Sequence, residues 1–261
     1  MRIVRFTPGP EAGLGQDPLF GVLEDDATIS IISGDPIYSG IQKTAAKIEL
    51  NKVRLLAPII PRSKVVCVGK NYADHAAEMG GVVPEEPIIF LKPNTSVIGP
   101  NDTIVWPDMS ERIDHEAELA IVIGRICKDV PLERVNDVIF GYTIANDVTA
   151  RDIQKKDGQW TRAKGFDTFC PIGPWVDTDF IPGTQKITAT IAGEVKQSAQ
   201  ISDMIFDVPT IVNFVSRVMT LLPGDIILTG TPAGIGPMVA GEKATMGIEG
   251  LGELTNKVSA K

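Results

Sequence analysis

The sequence predicts a strand-rich, mixed α/β protein built on a mixed β-roll or barrel, with a small β unit at its N-terminus. Residues 1–32 contain short stretches in which apolar and polar side chains alternate, the spacing of half-buried strands. After residue 60, longer apolar runs are separated by glycine and proline, of which the chain holds 25 and 19. Only one segment has the pattern of a long helix. Strands and long helices therefore do not alternate regularly, and a doubly wound parallel sheet is the less favoured alternative.

Residues 1–60 are predicted to form the N-terminal β unit. The runs MRIVRF and LFGVLEDDATISII lie between segments rich in glycine and proline, which indicates short antiparallel strands joined by turns. Pro58 and Pro61 then interrupt regular structure, and longer apolar runs follow them. We place the domain boundary near Pro61, with a second domain over residues 61–261.

The second domain is predicted to contain most of the strands and one long helix. The strand-like runs are KVVCVGKNY, PIIFLKP, AELAIVIG, VIFGYTIAND, KITATIAG, DIILTG and EKATMGIEG. The helix is predicted within DVPTIVNFVSRVMTLLPGD, where Asp207 can cap the first turn and Pro223 with Gly224 ends the last one. Its apolar residues at helical spacing are Ile211, Phe214, Val215, Val218, Leu221 and Leu222.

Charge and apolar patterning exclude two classes of partner. The formal net charge is -8, the pI is near 4.9, and no block of Lys and Arg is present, so nucleic acid is not an expected partner. No apolar run reaches the roughly 18 residues of a membrane span, and the N-terminus lacks the apolar stretch of a signal peptide. We therefore expect a cytoplasmic protein without a membrane partner.

The cysteines point to reduced thiols. Cys67, Cys127 and Cys170 are widely spaced, odd in number and outside any CxxC pattern, which favours buried thiols over a disulfide framework or a zinc site. The alternative is a catalytic cysteine, which would need a nearby base to lower the pKa of its thiol.

The segment DHEAELAIVIG, residues 114–124, brings acidic side chains into a run typical of a buried strand. A buried ionised carboxylate is costly unless it is paired with a cation or coordinates a metal. Because side chains alternate along a strand, Glu116 and Glu118 share a face, while His115 points away and is predicted to be structural. The convergent carboxylates indicate a cation site, and Asp147, which ends the run VIFGYTIAND, is the candidate third oxygen ligand of a hard divalent ion. The alternative for Asp147 is a cap on the helix that follows it.

The segment VGKNYADHAAEMG contains one of two histidines in the chain. A short helix is predicted from Tyr72 to Met79, and within it His75 and Glu78 are three residues apart and share a face. The carboxylate can then orient the imidazole and raise its basicity, which suits proton transfer. The alternative is a surface histidine with a solvated neighbour.

Two further segments contain candidate substrate contacts. In WTRAKGFDTFCPIGPW, Lys164 could neutralise a substrate carboxylate or a developing enolate. The glycine-rich segment LTGTPAGIGP follows a strand but lacks the spacing of a phosphate or dinucleotide loop. Its backbone amides and the hydroxyl of Thr231 suit a small anion, and an ordinary turn is the alternative.

Taken together, these segments resemble the fumarylacetoacetate hydrolase family, specifically its short bacterial and mitochondrial members. The motifs that carry the resemblance are, in chain order, VGKNYADHAAEMG, FLKP, DHEAELAIVIG, YTIANDVTARDIQ, KGFDTFCPIGPW and LTGTPAGIGP. The resemblance covers about residues 61–260, and the preceding residues match only the variable N-terminal part that members often carry.

The resemblance implies a β-roll of this family's type, usually dimeric, with a lid segment near residues 71–86 that closes over substrate. It implies that the family's proton-transfer pair falls on His75 and Glu78 and that Lys164 is the active-site lysine. It implies a substrate-carboxylate contact at Thr231. The implied ligands of Mg²⁺ or Mn²⁺ are Glu116, Glu118 and Asp147. Positions that touch substrate in some relatives correspond to Lys92, Arg151 and Gln154.

The resemblance also implies a small 2-oxo acid as substrate, since family members act on such acids. Cleavage of the C3–C4 bond leaves an enolate, which a Lewis acid stabilises. From oxaloacetate, CO₂ leaves without water, and Lys164 or His75 could manage charge and protonate C3. From an acylpyruvate, His75 would have to activate a water molecule.

We predict an oxaloacetate decarboxylase that depends on Mg²⁺ or Mn²⁺. The alternatives are an acylpyruvate hydrolase and an isomerase or decarboxylase of homoprotocatechuate-type ring-cleavage products. A more remote alternative, from another class, is a noncatalytic protein that binds oxo acids.

Overall fold

The computed structural model describes residues 1–24, 28–78 and 80–260. Its α-helices are short apart from the last. They are α1 (Pro36–Ser39), α2 (Ala73–Glu78), α3 (Arg151–Asp157), α4 (Thr161–Lys164) and α5 (Val208–Val218). Short 3-10 helices cover Pro10–Ala12, Leu50–Lys52, Asn94–Ser96, Leu132–Asp137 and Ile201–Asp203.

Strands account for most of the regular structure. In the first half of the chain they are β1 (Arg2–Pro8), β2 (Leu19–Leu23), β3 (Thr28–Ile32), β4 (Lys43–Glu49), β5 (Val53–Leu55), β6 (Val65–Gly69), β7 (Ile88–Lys92), β8 (Val97–Ile98), β9 (Thr103–Ile104), β10 (Ile113–His115) and β11 (Ala117–Ile123). They continue as β12 (Ile139–Asn146), β13 (Thr149–Ala150), β14 (Cys170–Asp177), β15 (Lys186–Ile191), β16 (Glu194–Gln200), β17 (Ile226–Leu228), β18 (Gly236–Pro237), β19 (Lys243–Ile248) and β20 (Gly252–Val258).

Over the described residues, the strands form three sheets. The largest has 12 strands in the order β4-β3-β2-β1-β14-β12-β11-β17-β6-β7, with β5 paired to β1 and β8 paired to β14. The other two have the orders β13-β10-β18 and β16-β15-β19-β20-β9. Most pairs are antiparallel, but β6 with β17, β8 with β14 and β9 with β20 are parallel. The predicted strand-rich, mixed class is confirmed.

The first four strands are antiparallel, as the alternating pattern predicted. Strands β1 to β4 pair in sequence, each antiparallel to the next. Strand β1 also pairs with β14, where Ile3 lies opposite Val176, so the N-terminal strands extend the largest sheet. Residues 25–27, in the middle of the predicted run LFGVLEDDATISII, lie outside the described residues. The boundary near Pro61 stays a prediction.

Strand β11 is the centre of the structure, because all of its residues are buried. One face, with Leu119 and Ile121, belongs to the largest apolar cluster, which also includes Ile211 and Val215 of α5. The opposite face packs into two smaller apolar clusters. A shift of one residue in register would exchange these faces, so burial on both sides fixes how β11 pairs with its neighbours. That register positions the acidic residues at the start of β11.

Helix α5 begins as predicted but ends earlier. The carboxylate of Asp207 accepts a hydrogen bond from the backbone N–H of Thr210 at 2.9 Å. The helix stops at Val218, whose side chain is exposed, and the prediction that it continues through Leu221 to Pro223 was wrong. The reason is a long-range pairing: the backbone of Leu221 exchanges two hydrogen bonds with that of Cys127, at 2.9 and 3.0 Å.

We expect an Asp207→Ala substitution to destabilise the protein by about 1 kcal/mol, because it removes the side-chain cap of α5. For a chain of this size, the midpoint of thermal unfolding should fall by roughly 2–4 °C. The matched control is Asp207→Ser, which keeps a capping oxygen and should retain most of the stability. Equal losses in both variants would contradict a role for the cap.

No helix within the described residues has both the length and the apolar character needed to cross a membrane.

Candidate metal centre and active site

Strand register brings three acidic side chains together. Glu118 lies on β11, Glu116 directly precedes that strand, and Asp147 directly follows β12. Strands β11 and β12 are antiparallel with Ala117 opposite Asn146, so Asp147 lies across from Glu116 and its N–H donates to the Glu116 carbonyl at 2.9 Å. One carboxylate oxygen from each acid lies within 4.8 Å of the others, and all three residues are buried. The three acids form the cluster that we call the acidic triad.

The capping alternative for Asp147 was wrong. Helix α3 begins after Ala150, which makes no side-chain cap. The Asp147 carboxylate instead accepts hydrogen bonds from Lys92 and from Lys164, both at 2.6 Å. Asp147 is therefore part of a buried ionic cluster.

Lys164 is a fixed positive charge within this cluster. Its ammonium donates to Glu116 at 2.7 Å and to Asp147 at 2.6 Å, and the residue is only 3% exposed. Burial alone would lower the pKa of Lys164, but Asp147 and Glu116 raise it above its ordinary value. The two carboxylates therefore favour the protonated, positively charged form of Lys164.

Glu116 and Glu118 have opposite electrostatic surroundings. Burial would raise the pKa of Glu116, but Lys164 and Arg151 hold it below its ordinary value. The pKa of Glu118 lies well above its ordinary value because of burial and the charges of Asp147 and Glu116. Its side chain accepts a hydrogen bond from the Gly230 N–H at 2.7 Å, and no cation among the described residues forms an ion pair with it.

The triad has the chemistry of a divalent-cation site. Three buried carboxylates converge, and Glu118 lacks a cationic partner in the described chain, so a positive charge would relieve an otherwise costly buried anion. Hard ions such as Mg²⁺ and Mn²⁺ prefer carboxylate oxygens of this kind. The residues present therefore fit the predicted ion.

Gly230 permits this arrangement. Its φ of +94° is in the left-handed region, and a Cβ at this position would lie 2.7 Å from the Cβ of Asn71. Only glycine lets the backbone approach closely enough for its N–H to reach Glu118 without displacing Asn71.

His75 and Glu78 form the contact that their spacing predicted. They lie on α2, with Nδ1 of His75 3.3 Å from Oε2 of Glu78. His75 is only 6% exposed and lines the same pocket as the triad, so the surface-histidine alternative was wrong. If Nδ1 donates to Glu78, Nε2 is the nitrogen available for proton transfer. Helix α2 ends at Glu78, and Met79, the predicted last residue, lies outside the described residues.

Glu78 also connects the predicted lid segment to the glycine-rich segment. Its two carboxylate oxygens lie 3.2 and 3.3 Å from the backbone N of Gly234, which donates to them. The same carboxylate therefore orients His75 and joins α2 to the loop between β17 and β18.

Arg151 and Gln154 lie side by side on α3 and line the pocket. The Arg151 guanidinium donates to Gln154 at 2.7 Å, to Asp114 at 2.9 Å and to Glu116. Asp114 is fully buried and also accepts from Arg112 at 2.7 Å. Asp114 received no role from the sequence, because its partner Arg151 is 37 residues away along the chain.

Lys92 and Thr231 are buried next to the acidic triad. The Lys92 side chain is fully buried, and its ammonium is held by Asp147 and by the Val148 carbonyl, so it orients Asp147 in this structure. The Thr231 hydroxyl donates to the Ala117 carbonyl at 2.9 Å. Thr231 would have to release this bond before its hydroxyl could donate to a substrate carboxylate.

The pocket has a wall that the sequence analysis missed. Phe90 and Trp160 line it with ring centroids 5.1 Å apart in an edge-to-face contact, and a Cβ on Gly69 would lie 2.7 Å from the Trp160 ring. Phe90 lies two residues before Lys92 on β7, and Trp160 lies four residues before Lys164. Strand and helix periodicity could therefore have associated each aromatic residue with its lysine.

His115 and the cysteines have structural positions. The Nδ1 atom of His115 lies 2.8 Å from the Gly236 carbonyl oxygen, and its structural role stays a prediction. All three cysteines are free, as predicted, and Cys67 and Cys170 are buried, but Cys127 is only partly buried, so its predicted burial was wrong. Burial raises the pKa of Cys170 to about 12 and that of Cys67 well above its ordinary value. A reactive thiolate is therefore disfavoured at both positions.

Two family descriptions together match most of the chain. Residues 64–259 match "Fumarylacetoacetate (FAA) hydrolase C-terminal", and residues 1–58 match "Rv2993c-like, N-terminal". Among curated relatives, protein Rv2993c of Mycobacterium tuberculosis is 60% identical over 231 residues, which cover 87% of this chain and 85% of that protein. The mitochondrial oxaloacetate tautomerase FAHD1 of Arabidopsis thaliana is 46% identical over 198 residues, which cover 74% of this chain and 89% of that protein.

Solved structures share the whole fold. The 5-carboxymethyl-2-hydroxymuconate delta-isomerase from Mycobacterium smegmatis has a TM-score of 0.91 at 48% identity, with 100% of both chains covered. The maleylpyruvate hydrolase from Sphingobium sp. SYK-6, in complex with manganese (II) ion and pyruvate, has a TM-score of 0.81 at 32% identity, with 100% of this chain and 99% of that chain covered.

Proposed function

The chain belongs to the fumarylacetoacetate hydrolase family, and from this premise we propose that it is a metal-dependent enzyme that interconverts the keto and enol forms of oxaloacetate. One observation carries the proposal: a buried imidazole, His75, lines the same pocket as the buried acidic triad. A base beside a cation site suits removal of a proton next to a carbonyl. The name of the oxaloacetate tautomerase that is 46% identical supports this choice of substrate.

We assign the acidic triad as the site of Mg²⁺ or Mn²⁺. A bound ion of this kind supplies Lewis acidity, which polarises a carbonyl and stabilises the negative charge that develops on it. The manganese ion and pyruvate in the maleylpyruvate hydrolase support a metal together with a small 2-oxo acid in this family.

In this proposal, His75 carries the proton. Its Nε2 removes a proton from C3 of the keto form while the oxygen at C2 takes a proton from a water molecule to give the enol, and the imidazolium then gives a proton to the hydroxide that is left. The reverse direction returns the proton from Nε2 to C3. Glu78 orients the ring through Nδ1 and stabilises the imidazolium that forms. The bond from the Gly234 N–H to Glu78 holds this carboxylate in position.

Lys164 acts through its charge in this proposal. Its ammonium donates to Glu116 and to Asp147 and so holds both carboxylates in position beside the pocket. Its charge also favours negative charge that develops in the adjacent pocket.

Oxaloacetate decarboxylation, the reaction predicted from the sequence, is the second candidate. The C3–C4 bond breaks, CO₂ leaves, and the electron pair forms the enolate of pyruvate, which His75 then protonates at C3. The maleylpyruvate hydrolase binds pyruvate, the product that decarboxylation would leave, so a site of this family accommodates that product. The two reactions differ in whether a C–H bond or a C–C bond breaks.

Nuclear magnetic resonance of oxaloacetate in D₂O with Mg²⁺ separates the two reactions. We expect the protein to accelerate keto–enol equilibration and deuterium incorporation at C3 more than it accelerates pyruvate formation. The matched reference is the same solution with Mg²⁺ but without protein, because the ion alone promotes decarboxylation.

If pyruvate forms as fast as deuterium enters C3, the decarboxylase is the correct assignment. If neither rate exceeds that of the metal-only reference, both assignments are wrong. Acetylpyruvate hydrolysis and isomerisation of ring-cleavage 2-oxo dioates are then the reactions to measure.

A further inference from the structure

The pocket contains a cation that the proposed chemistry does not use. Lys70 follows β6 and lines the pocket together with His75 and the triad. It is partly exposed, whereas Lys164 and Arg151 are buried. Lys70 therefore combines a position in the site with access to solvent and to an incoming ligand.

The backbone of Lys70 is held in an unusual conformation. Its φ of +57° lies in the left-handed region, which residues other than glycine rarely adopt. The next residue, Asn71, explains how this conformation is held. Its side chain makes two hydrogen bonds with the backbone of Phe206, at 2.9 and 2.8 Å, and donates to the Thr229 carbonyl at 2.8 Å. The turn from β6 towards α2 is therefore anchored, and it directs Lys70 to the pocket.

The Lys70 ammonium lies under the predicted lid segment. A Cβ on Gly81 would be 2.7 Å from Nζ of Lys70, so the absence of a side chain at position 81 makes room for it. The N–H of Gly81 donates to the Ala76 carbonyl at 3.0 Å, which fixes this loop to α2. The ammonium therefore lies close to the loop that follows α2.

The other cations that line the pocket are already neutralised. Lys164 binds Glu116 and Asp147, and Arg151 binds Asp114 and Glu116. Within the described part of the chain, the Lys70 ammonium forms no hydrogen bond or ion pair. Lys70 is therefore the cation that can accept an additional carboxylate without breaking an existing ion pair.

We propose that Lys70 binds the distal carboxylate of a 2-oxo dioate and so selects dicarboxylates over monocarboxylates. This inference rests on the proposed function, because it takes the 2-oxo group to lie at the acidic triad. A dicarboxylate has one carboxylate beside its 2-oxo group and a second at the other end of the chain. The second one needs a cation away from the triad, and an ammonium under the lid segment meets that need.

Binding of two unreactive ligands tests this assignment. Malate and 2-hydroxybutyrate have the same number of carbons, but only malate has a distal carboxylate. In titration calorimetry with Mg²⁺, we expect Lys70→Met to weaken malate binding by about 10- to 100-fold, the range for a hydrogen bond to a charged group. The affinity for 2-hydroxybutyrate should change by less than about twofold. Lys70→Arg should restore most of the malate affinity.

The matched control is Lys186→Met, which removes the charge of an exposed lysine on β15, in another sheet. It should bind both ligands like the wild type. Unchanged malate affinity in Lys70→Met, or equal losses for malate and 2-hydroxybutyrate, would overturn the assignment. The binding measurements do not require turnover. A wild-type protein that is inactive on oxaloacetate would contradict the proposed function, whereas the malate affinities would still test the role of Lys70.

Discussion

We expect Glu118→Gln to lose the divalent ion and to lower the activity by at least about 100-fold. Without metal, the variant should be at least as stable to unfolding as the wild type. An ion that stabilises developing charge contributes several kcal/mol to the transition state, and about 1.4 kcal/mol corresponds to a tenfold change in rate. Glu118 is the suitable position because no cation in the described chain pairs with it. Replacing the Glu118 carboxylate therefore does not deprive any buried cation of its ion-pair partner.

Glu116 provides the contrasting variant. Its carboxylate binds both Lys164 and Arg151, so Glu116→Gln weakens two buried ion pairs as well as the metal site. Breaking a buried pair typically costs about 3–5 kcal/mol. Loss of activity in Glu116→Gln would therefore combine a folding defect with a metal defect, whereas Glu118→Gln separates them.

Thermal unfolding with and without Mg²⁺ measures both parts of this prediction. For wild type, an ion at 100 times its dissociation constant should add about 2.7 kcal/mol, which is roughly 5–10 °C for a chain of this size. Glu118→Gln should show little of this rise. A full rise in Glu118→Gln, or full activity, would contradict the assignment of Glu118 as a ligand.

The pH dependence of the metal-free protein has a defined sign. The folded-state pKa of Glu118 is raised above its unfolded value, so the unfolded state releases this proton first. The contribution of Glu118 to stability is therefore complete below the ordinary glutamate pKa of about 4.3 and is lost as pH rises through the folded pKa. As pH rises from the ordinary glutamate pKa through the folded pKa of Glu118, we expect the free energy of unfolding of Glu118→Gln to increase relative to that of the wild type. A difference that stays constant with pH would contradict the raised pKa.

Local spacing predicted the parts of the site that lie within one element. Strand alternation put Glu116 and Glu118 on one face, and helix spacing put His75 beside Glu78. The position of Asp147 depends on the pairing of β11 with β12, which connects residues about thirty positions apart. Local spacing does not encode such a pairing, so only the resemblance to the family made this residue a firm prediction.

The features that the sequence analysis missed depend on long-range contacts. The end of α5 is set by hydrogen bonds between Leu221 and Cys127, which a local apolar pattern cannot reveal. Lys70 directly precedes the predicted lid segment. Its left-handed backbone, however, depends on hydrogen bonds from Asn71 to the carbonyls of Phe206 and Thr229, which are distant along the chain. The homodimer implied by the resemblance stays a prediction, since a single chain contains no contact with a second copy.

We expect His75→Gln to lower the rate of proton exchange at C3 by about 100- to 10,000-fold, the range for removal of a general base. Glutamine fills similar space and can donate to Glu78, so the contact between α2 and Gly234 should persist. His75 makes no ion pair with the triad, and the affinity for Mg²⁺ should therefore change little. The measurement is deuterium incorporation at C3 of oxaloacetate, together with calorimetric titration of Mg²⁺.

Comparison with Glu78→Gln separates proton transfer from orientation of the ring. Glu78 acts through His75, so its substitution should lower the exchange rate less than substitution of His75 does. Added imidazole should restore part of the activity of a smaller variant, His75→Ala, but not that of Glu118→Gln, because imidazole can replace a missing base but not a missing metal ligand. If His75→Gln instead exchanged the C3 proton as fast as the wild type, His75 would not be the base, and the metal centre would have to operate with a different proton carrier in the same pocket.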